Sequence, residues 1–434
     1  MRSPIHMPNV RRHLFSLPLL LALPLFAQEP APKTTAAAGP VLVLTTSDAG
    51  IAHVVAEGLG YVDDLPAAPA DGHYIVSLGG DRACQVGTAA GKVDLFEVIA
   101  EPGPLMDAFA EQIEAGVPMV RGAFTVGMQQ AGMSAKDAMA LVQDVLDFPR
   151  QLQKLTIKVV GDPTAIPESG LDVTLDLDGK AGTGFASLMA KLAPSDQGAP
   201  QLPGDGSLMQ FRLSLTPLAL QALVRPFTAF SAGITSRTEE QRQRATAMME
   251  RWIELYDGGC CVAFDATMRA HMLIGVLDSD KVRALTSSED YLEAARAQQL
   301  PNRDLEIEVA VDAFEHRGVK FLQTKVTGSE PNPIMPDGEL VTRIGAGGNY
   351  VMMTMGGDEA FAKSIVDAVL DRKVSRAPLP DAALAWSSID LRGLARLLLP
   401  GVGMGGEPGE DMPSRLTVRL GKRGTGLQLK LHMQ

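Results

Sequence analysis

Aromatic residues make up only 5% of this 434-residue chain. A membrane β-barrel needs two interfacial girdles of them, so that reading is set aside. Long apolar runs are scarce as well. The run from Leu14 to Ala27 holds 14 residues and includes Pro18 and Pro24, short of the ~20 that cross a bilayer. Cysteine is limited to Cys84, Cys260 and Cys261, whose spacing matches no zinc pattern. In an oxidising compartment a bridge from Cys84 to Cys260 or Cys261 is open, whereas the adjacent pair is too strained to close on itself. The alternative is three buried thiols acting as small apolar residues.

Positive charge is also short. Lys and Arg number 39 against 51 Asp and Glu, a formal net charge of -12. So acidic a surface repels phosphate backbones and anionic headgroups, which excludes nucleic acid as the expected partner. With 46% hydrophobic and 21% charged residues, the chain has the composition of a folded globular protein.

The N-terminus has the order of a secretory signal peptide. Arg2, Arg11, Arg12 and His13 precede the apolar run, and Ala27 supplies a small residue before Gln28. The sequence predicts export to the periplasm or medium with cleavage near Ala27-Gln28, and Met7 offers a second start. No Cys follows the run, so no lipid anchor is expected. Residues 28–40, QEPAPKTTAAAGP, form a Pro/Ala linker that cannot bury a core. Cleavage removes three positive charges, taking -12 to -15, and leaves 407 of the 434 residues. That length calls for two or three domains, and no integral membrane segment is expected in the mature chain.

Val41 to Thr46 reads as a strand, after which Ser47 caps a helix to about Gly58. Tyr74 to Leu78 and Val93 to Ala100 are further strands, Pro104 to Ala115 has helical spacing, and Ser134 with Asp137 resembles a capping box opening a helix to about Leu152. The period then becomes two at Leu155, Ile157 and Val159, at Leu171 to Leu177, and at Met209 to Leu215, around a short helix at 184–192. These are half-buried antiparallel strands. Thr216-Pro217 starts a helical stretch that Pro226 and Gly233 break. A long helix, 236–258, divides an N-terminal α+β domain (41–235) from a C-terminal one (259–434). The second half repeats the grammar: strands at 261–265 and 268–277, a helix at 279–298, strands at 305–311, 319–326, 340–345 and 349–355, a helix at 359–371, a strand at 384–391, and a hairpin from Arg415 to His432.

Two internal echoes support a duplication. Residues 72–81 resemble 348–358, each a strand, a Gly-Gly turn and an Asp near a helix start; more weakly, 171–215 resembles 384–420. The expected fold class is therefore α+β, two similar halves, each a mainly antiparallel sheet with helices packed on one face.

No local catalytic or metal motif stands out. His53, His73, His271, His316 and His432 lie too far apart in sequence for a helical metal pair. Ala229-Phe230-Ser231-Ala232-Gly233 lacks the first glycine of a nucleophile elbow and follows a helical stretch, and the mature chain has no S-x-x-K. Gly401 to Gly406 fits G-x-G-x-x-G but follows a Leu-rich helix and runs into Glu407, Glu410 and Asp411, the wrong charge for a pyrophosphate. Asp172, Asp176 and Asp178 share one strand face with no closing glutamate for calcium, which reads as a solvated face. Asp278-Ser279-Asp280 reads as a helix cap. Twenty methionines, with clusters at Met248-Met249 and at Met352, Met353 and Met355, either fill cores or line an adaptable apolar surface.

The expected role is a non-catalytic binding or structural protein of the envelope, without cofactor or metal, its ligand a protein or an apolar small molecule. One alternative is a carrier holding an apolar or lipid ligand between sheet and helices. Another is a hydrolase assembled from distant residues, which requires His53, His73, His271 or His316 within reach of a Ser, Asp or Glu in a cleft.

Overall fold

The computed structural model describes residues 39–91, 95–130, 139, 143–161, 170–202, 207–224, 239–297, 305–328, 338–398 and 413–434. The leader, the linker up to residue 38, the Ser134 capping box, the Ser231 segment and the 401–406 glycines lie outside the described residues; the last linker residue, Pro40, instead opens the first strand.

The first elements are β1 (Pro40–Thr46), α1 (Ala49–Gly58), β2 (Gly72–Gly79), β3 (Cys84–Ala90), β4 (Phe96–Ala100), α2 (Pro102–Ala108) and α3 (Ala110–Gln130). Then come β5 (Leu152–Gly161), β6 (Leu171–Gly179), α4 (Gly184–Lys191), β7 (Ala199–Gln201) and β8 (Met209–Ser214). A helical stretch at 217–224 precedes α5 (Glu239–Leu255), β9 (Tyr256–Phe264), β10 (Ala270–Val276), α6 (Ser279–Thr286) and α7 (Glu289–Ala297). The chain continues through β11 (Leu305–His316), β12 (Val319–Gly328), β13 (Glu339–Gly347), β14 (Tyr350–Met355), α8 (Glu359–Leu370) and β15 (Ser375–Ala377). It closes with β16 (Ala385–Asp390), α9 (Leu391–Leu398), β17 (Arg415–Arg423) and β18 (Gly426–Met433).

The protein is α+β with antiparallel pairing, and short polar side chains set its helix starts. Asp48, one residue beyond the expected Ser47, accepts from the amides of Gly50 and Ile51. Asp278 caps α6 and Asp358 caps α8 in the same way. The single helix expected over 279–298 is two, because Ser288 Oγ accepts from Tyr291 N and starts a new helix there.

The two expected sheets are one. All main strands join a 16-stranded sheet in the order β11-β12-β13-β14-β10-β9-β8-β16-β17-β18-β6-β5-β4-β1-β2-β3. The 236–258 helix divides nothing, because the strands on either side of it, β8 and β9, are neighbours. The C-terminal hairpin pairs with β6 of the N-terminal half.

Around the β8–β16 seam the order is mirrored. From the seam outward, β8, β9, β10, β14 and β13 answer β16, β17, β18, β6 and β5. Phe211 faces Ser387 in the seam and Pro200 faces Arg376 in a separate β7–β15 ribbon. Both pairs have the same offset, 387 − 211 and 376 − 200, or 176 residues. The mirrored topology matches 171–214 with 350–390, not with 384–420. The stronger echo is corrected too. Gly79-Gly80-Asp81 turns into strand β3, whereas Gly356-Gly357-Asp358 turns into helix α8.

Directly opposed residues share a sheet face. One face carries the β7–β15 ribbon, because buried Arg212 donates to the carbonyls of Ala199, Pro200 and Ala377. On this ribbon face Ile365, Val366 and Val369 of α8 cover Leu273, Phe321 and Met352. The opposite face carries α1 over Leu44, Val76 and Val98, and α4 near Leu177 and Leu427. There too, Trp252 of α5 and Val282 of α6 pack with Ile274 and Val351. Helices therefore cover both faces, and α4 and α8, which hold matching places in the mirrored order, lie on opposite ones.

A buried ion pair fastens the ribbon. Arg376 Nη2 donates to Asp257 Oδ2 at 2.7 Å, with the Asp257 side chain 6% exposed, and the guanidinium also reaches Tyr350 Oη and Gln197 Oε1. Gly275 lies beneath, where a Cβ would collide with both ionic partners. Removing one member of such a pair strands the other charge. Asp257→Ala is expected to lower unfolding free energy by about 3 kcal/mol in urea titration, and an unchanged midpoint would contradict the fastening role.

Candidate functional site

The five histidines beyond residue 27, of seven in the chain, do not converge. His53 is exposed on α1, 3.9 Å from Glu57. His73 on β2 bonds the Gly91 carbonyl at 2.9 Å. His271 on β10 lies under α8, stacked on Phe361 at 3.9 Å between centroids. Its Nε2 is 3.1 Å from the Phe361 carbonyl; a carbonyl only accepts, so that nitrogen carries the proton. His316 Nε2 meets Asp367 Oδ1 at 2.9 Å, but the same oxygen accepts from Arg317, which also binds Asp371, at the solvent-facing end of the β11–β12 hairpin. His432 Nδ1 meets Asp172 Oδ1 at 2.8 Å. His432 and His271 share the ribbon face, five strand spacings apart, about 24 Å. Two histidines thus hydrogen-bond a carboxylate, and among the described residues neither has a hydroxyl or thiol partner.

Burial pushes the His271 pKa below its ordinary value, partly offset by the Phe361 carbonyl. A histidine with a folded-state pKa below its unfolded one contributes stability above the unfolded value, ~6.5, that is lost as pH falls. The urea midpoint is therefore expected to drop between neutral and mildly acidic pH, and to drop less in His271→Gln. Identical pH profiles would show that this ring does not titrate on unfolding.

Asp172, Asp176 and Asp178 do lie on one face, but Asp176 is buried. It accepts from Arg423 Nη1 and Gln428 Nε2, both at 2.7 Å. The reading of all three as solvated is corrected by the longer side chains of β17 and β18 folding over the middle one. Above it lies an open polar cavity of about 570 Å³, lined by Glu97, Lys154, Lys158, Asp178 and Lys430 among others. Among the described residues no group of three His, Cys, Asp or Glu could hold a metal ion.

The thiols are free. Cys84 on β3 is ten strand spacings from β9 along the sheet, on the order of 48 Å, far beyond disulfide reach. Cys260 and Cys261 are buried on opposite faces of β9. Burial pushes Cys260 up to about 12 and raises Cys261, so neither forms a reactive thiolate at neutral pH. A thiol-directed reagent is expected to label at most Cys84 in the native protein and all three after unfolding. Rapid native labelling of Cys260 or Cys261 would refute their packing.

The methionines divide by face. Met352 is fully buried under α8, while Met353 and Met355 point to the opposite face and are half-buried. There the register aligns a cross-strand row: Val159, Val173, Leu431, Val418, Ser387, Phe211, Val262, Met272, Met353, Ile344 and Leu322. Ser387 is its only polar member. A parallel row runs through Met433, Leu416, Ile389, Met209, Phe264, Ala270 and Met355. Phe211, at the seam, is 39% exposed. Its neighbours in the row, Val418, Val262, Met272 and Met353, are half-buried. The alternation in each strand was visible in sequence; the alignment of strands far apart in the chain was not.

No protein-family model, curated protein or solved structure matches this chain. Among the described residues no helix is long and apolar enough to cross a membrane.

Proposed function

We propose that this is an exported, non-catalytic binding protein of the cell envelope, and that the apolar rows across the middle of the sheet are its binding surface. The observation that carries the reading is the exposed Phe211 at the seam, within a row interrupted by one serine. Covering the 39% of Phe211 that is exposed gains only that fraction of the roughly 1.5–3 kcal/mol of a fully buried phenylalanine, a modest contribution to binding. The basic start, apolar run and Ala27 support export. The mirrored strand order supports an origin by duplication, with the two copies diverging in where their helices pack.

The carrier reading takes support from the apolar character of the same rows. The hydrolase reading draws least support, since the His316–Asp367 pair, though within reach, lies at the solvent-facing end of a hairpin rather than in a cleft.

An environment-sensitive apolar dye is expected to brighten with the native protein, and Phe211→Asp, on an accessible position, to abolish most of the signal while the protein stays folded. A dark native protein would refute the binding surface. The intact mass of protein secreted by its own host is expected to begin near Gln28; an N-terminus at Met1 or Met7 would overturn export.

A further inference from the structure

On the ribbon face, across the sheet from the apolar rows, we infer a second binding site. The open polar cavity above Asp176 takes a small anionic polyol, a hydroxyl-rich molecule carrying one carboxylate or phosphate group.

Register builds this site. Lys154, Thr156 and Lys158 of β5 share a face with Asp178, Asp176 and Thr174 of β6, each directly opposed. Strand β18 adds Gln428 opposite Asp176 and Lys430 opposite Thr174, and β4 adds Glu97 opposite Lys158. Lys158 and Lys430 are therefore two strand spacings apart, about 10 Å, and Lys154 is four residues from Lys158, about 13 Å along the strand. Asp176 lies in the row between these lysines. Its bonds from Arg423 and Gln428, both at 2.7 Å, fix the floor. In this half α1 and α4 pack on the opposite face.

The charge pattern selects the ligand. The whole chain has 51 acidic residues against 39 basic. Around this cavity of about 570 Å³ the order is reversed, with four cations to three carboxylates. The volume suits a small molecule. Among the described residues Lys154 and Lys430 form no hydrogen bond or ion pair, and Lys430 is half-buried. A half-buried ammonium group without a counter-charge is costly, and an anionic ligand group offsets that cost through charge-assisted hydrogen bonds. Glu97 and Asp178 set the limit on charge. Carboxylates only accept hydrogen bonds, so they repel a polyanion and receive hydroxyl groups. Thr156, Thr174 and Gln428 extend the polar lining. A neutral sugar would leave the lysines unpaired and a polyanion would meet the carboxylates, whereas one anionic group among hydroxyls satisfies both.

Calorimetric titration of the full chain at low salt, with glucuronate and glucose 6-phosphate as probes, tests this site. The better of the two is expected to bind at least tenfold more tightly than glucose and than inorganic phosphate. Which of them binds better shows whether the anionic group is a carboxylate or a phosphate. Lys154→Gln and Lys430→Gln should each weaken that probe about tenfold, the scale of a hydrogen bond to a charged group, with folding checked by circular dichroism. Added salt should weaken it as well. Glucose or phosphate binding as tightly as the better probe would overturn the anionic polyol, a comparison that needs no variant. Binding that survives both lysine substitutions would overturn the location. No binding of either probe at millimolar concentration would overturn the site altogether.

Discussion

The seam between β8 and β16 joins everything else. Five opposed residue pairs, from Met209 with Ile389 to Leu213 with Ala385, link strands from distant parts of the chain. Without that ladder, each of the two strands would present an unpaired row of amides and carbonyls at a sheet edge. With it, the sheet continues from β11 to β3 and edges remain only at its ends. The ribbon β7–β15 repeats the same crossing one layer up, and Arg212 and Arg376 tie the two layers together through carbonyls and the Asp257 carboxylate. Guanidinium groups suit this place because their several donors satisfy backbone acceptors that the short ribbon leaves open.

The ribbon face changes character along its width. From Lys158 the row passes through Thr174, Lys430, Arg419 and Trp386 to Arg212, then turns apolar at Cys261, Leu273, Met352 and Phe321. The polar part carries the open cavity above Asp176, and the apolar part lies under α8. The opposite face is mostly apolar across the central strands, with Ser387 and Lys422 as exceptions. A sheet with one face polar over half its width and the other apolar across its middle separates two environments, and that separation underlies the binding reading.

Much of the local structure was legible. The alternation of Leu171, Val173, Leu175 and Leu177, the turn at Gly424 and the Asp278 cap each reflect constraints acting over a few residues. The strand β3 was not legible, because CQVGTAA lacks a regular apolar alternation, and neither were the three-residue strands β7 and β15, whose pairing depends on Arg212 and Arg376. Of the candidate site, the methionine cluster at 352–355 was singled out in the sequence. Phe211 and Val418 were not, since each is an ordinary apolar strand residue until its neighbours across the sheet are known.

By itself the sequence determined the class: alternating strands, capped helices, an acidic composition and an N-terminal leader pattern, all of them short-range or compositional properties. Only the tertiary structure decided that two expected sheets are one, that helices cover both faces, and that apolar residues from scattered strands align in a single row. The physical reason is register. A one-residue slip in any strand would turn its apolar set to the other face, and the pairing that prevents this lies between segments hundreds of residues apart, where local patterns carry no information.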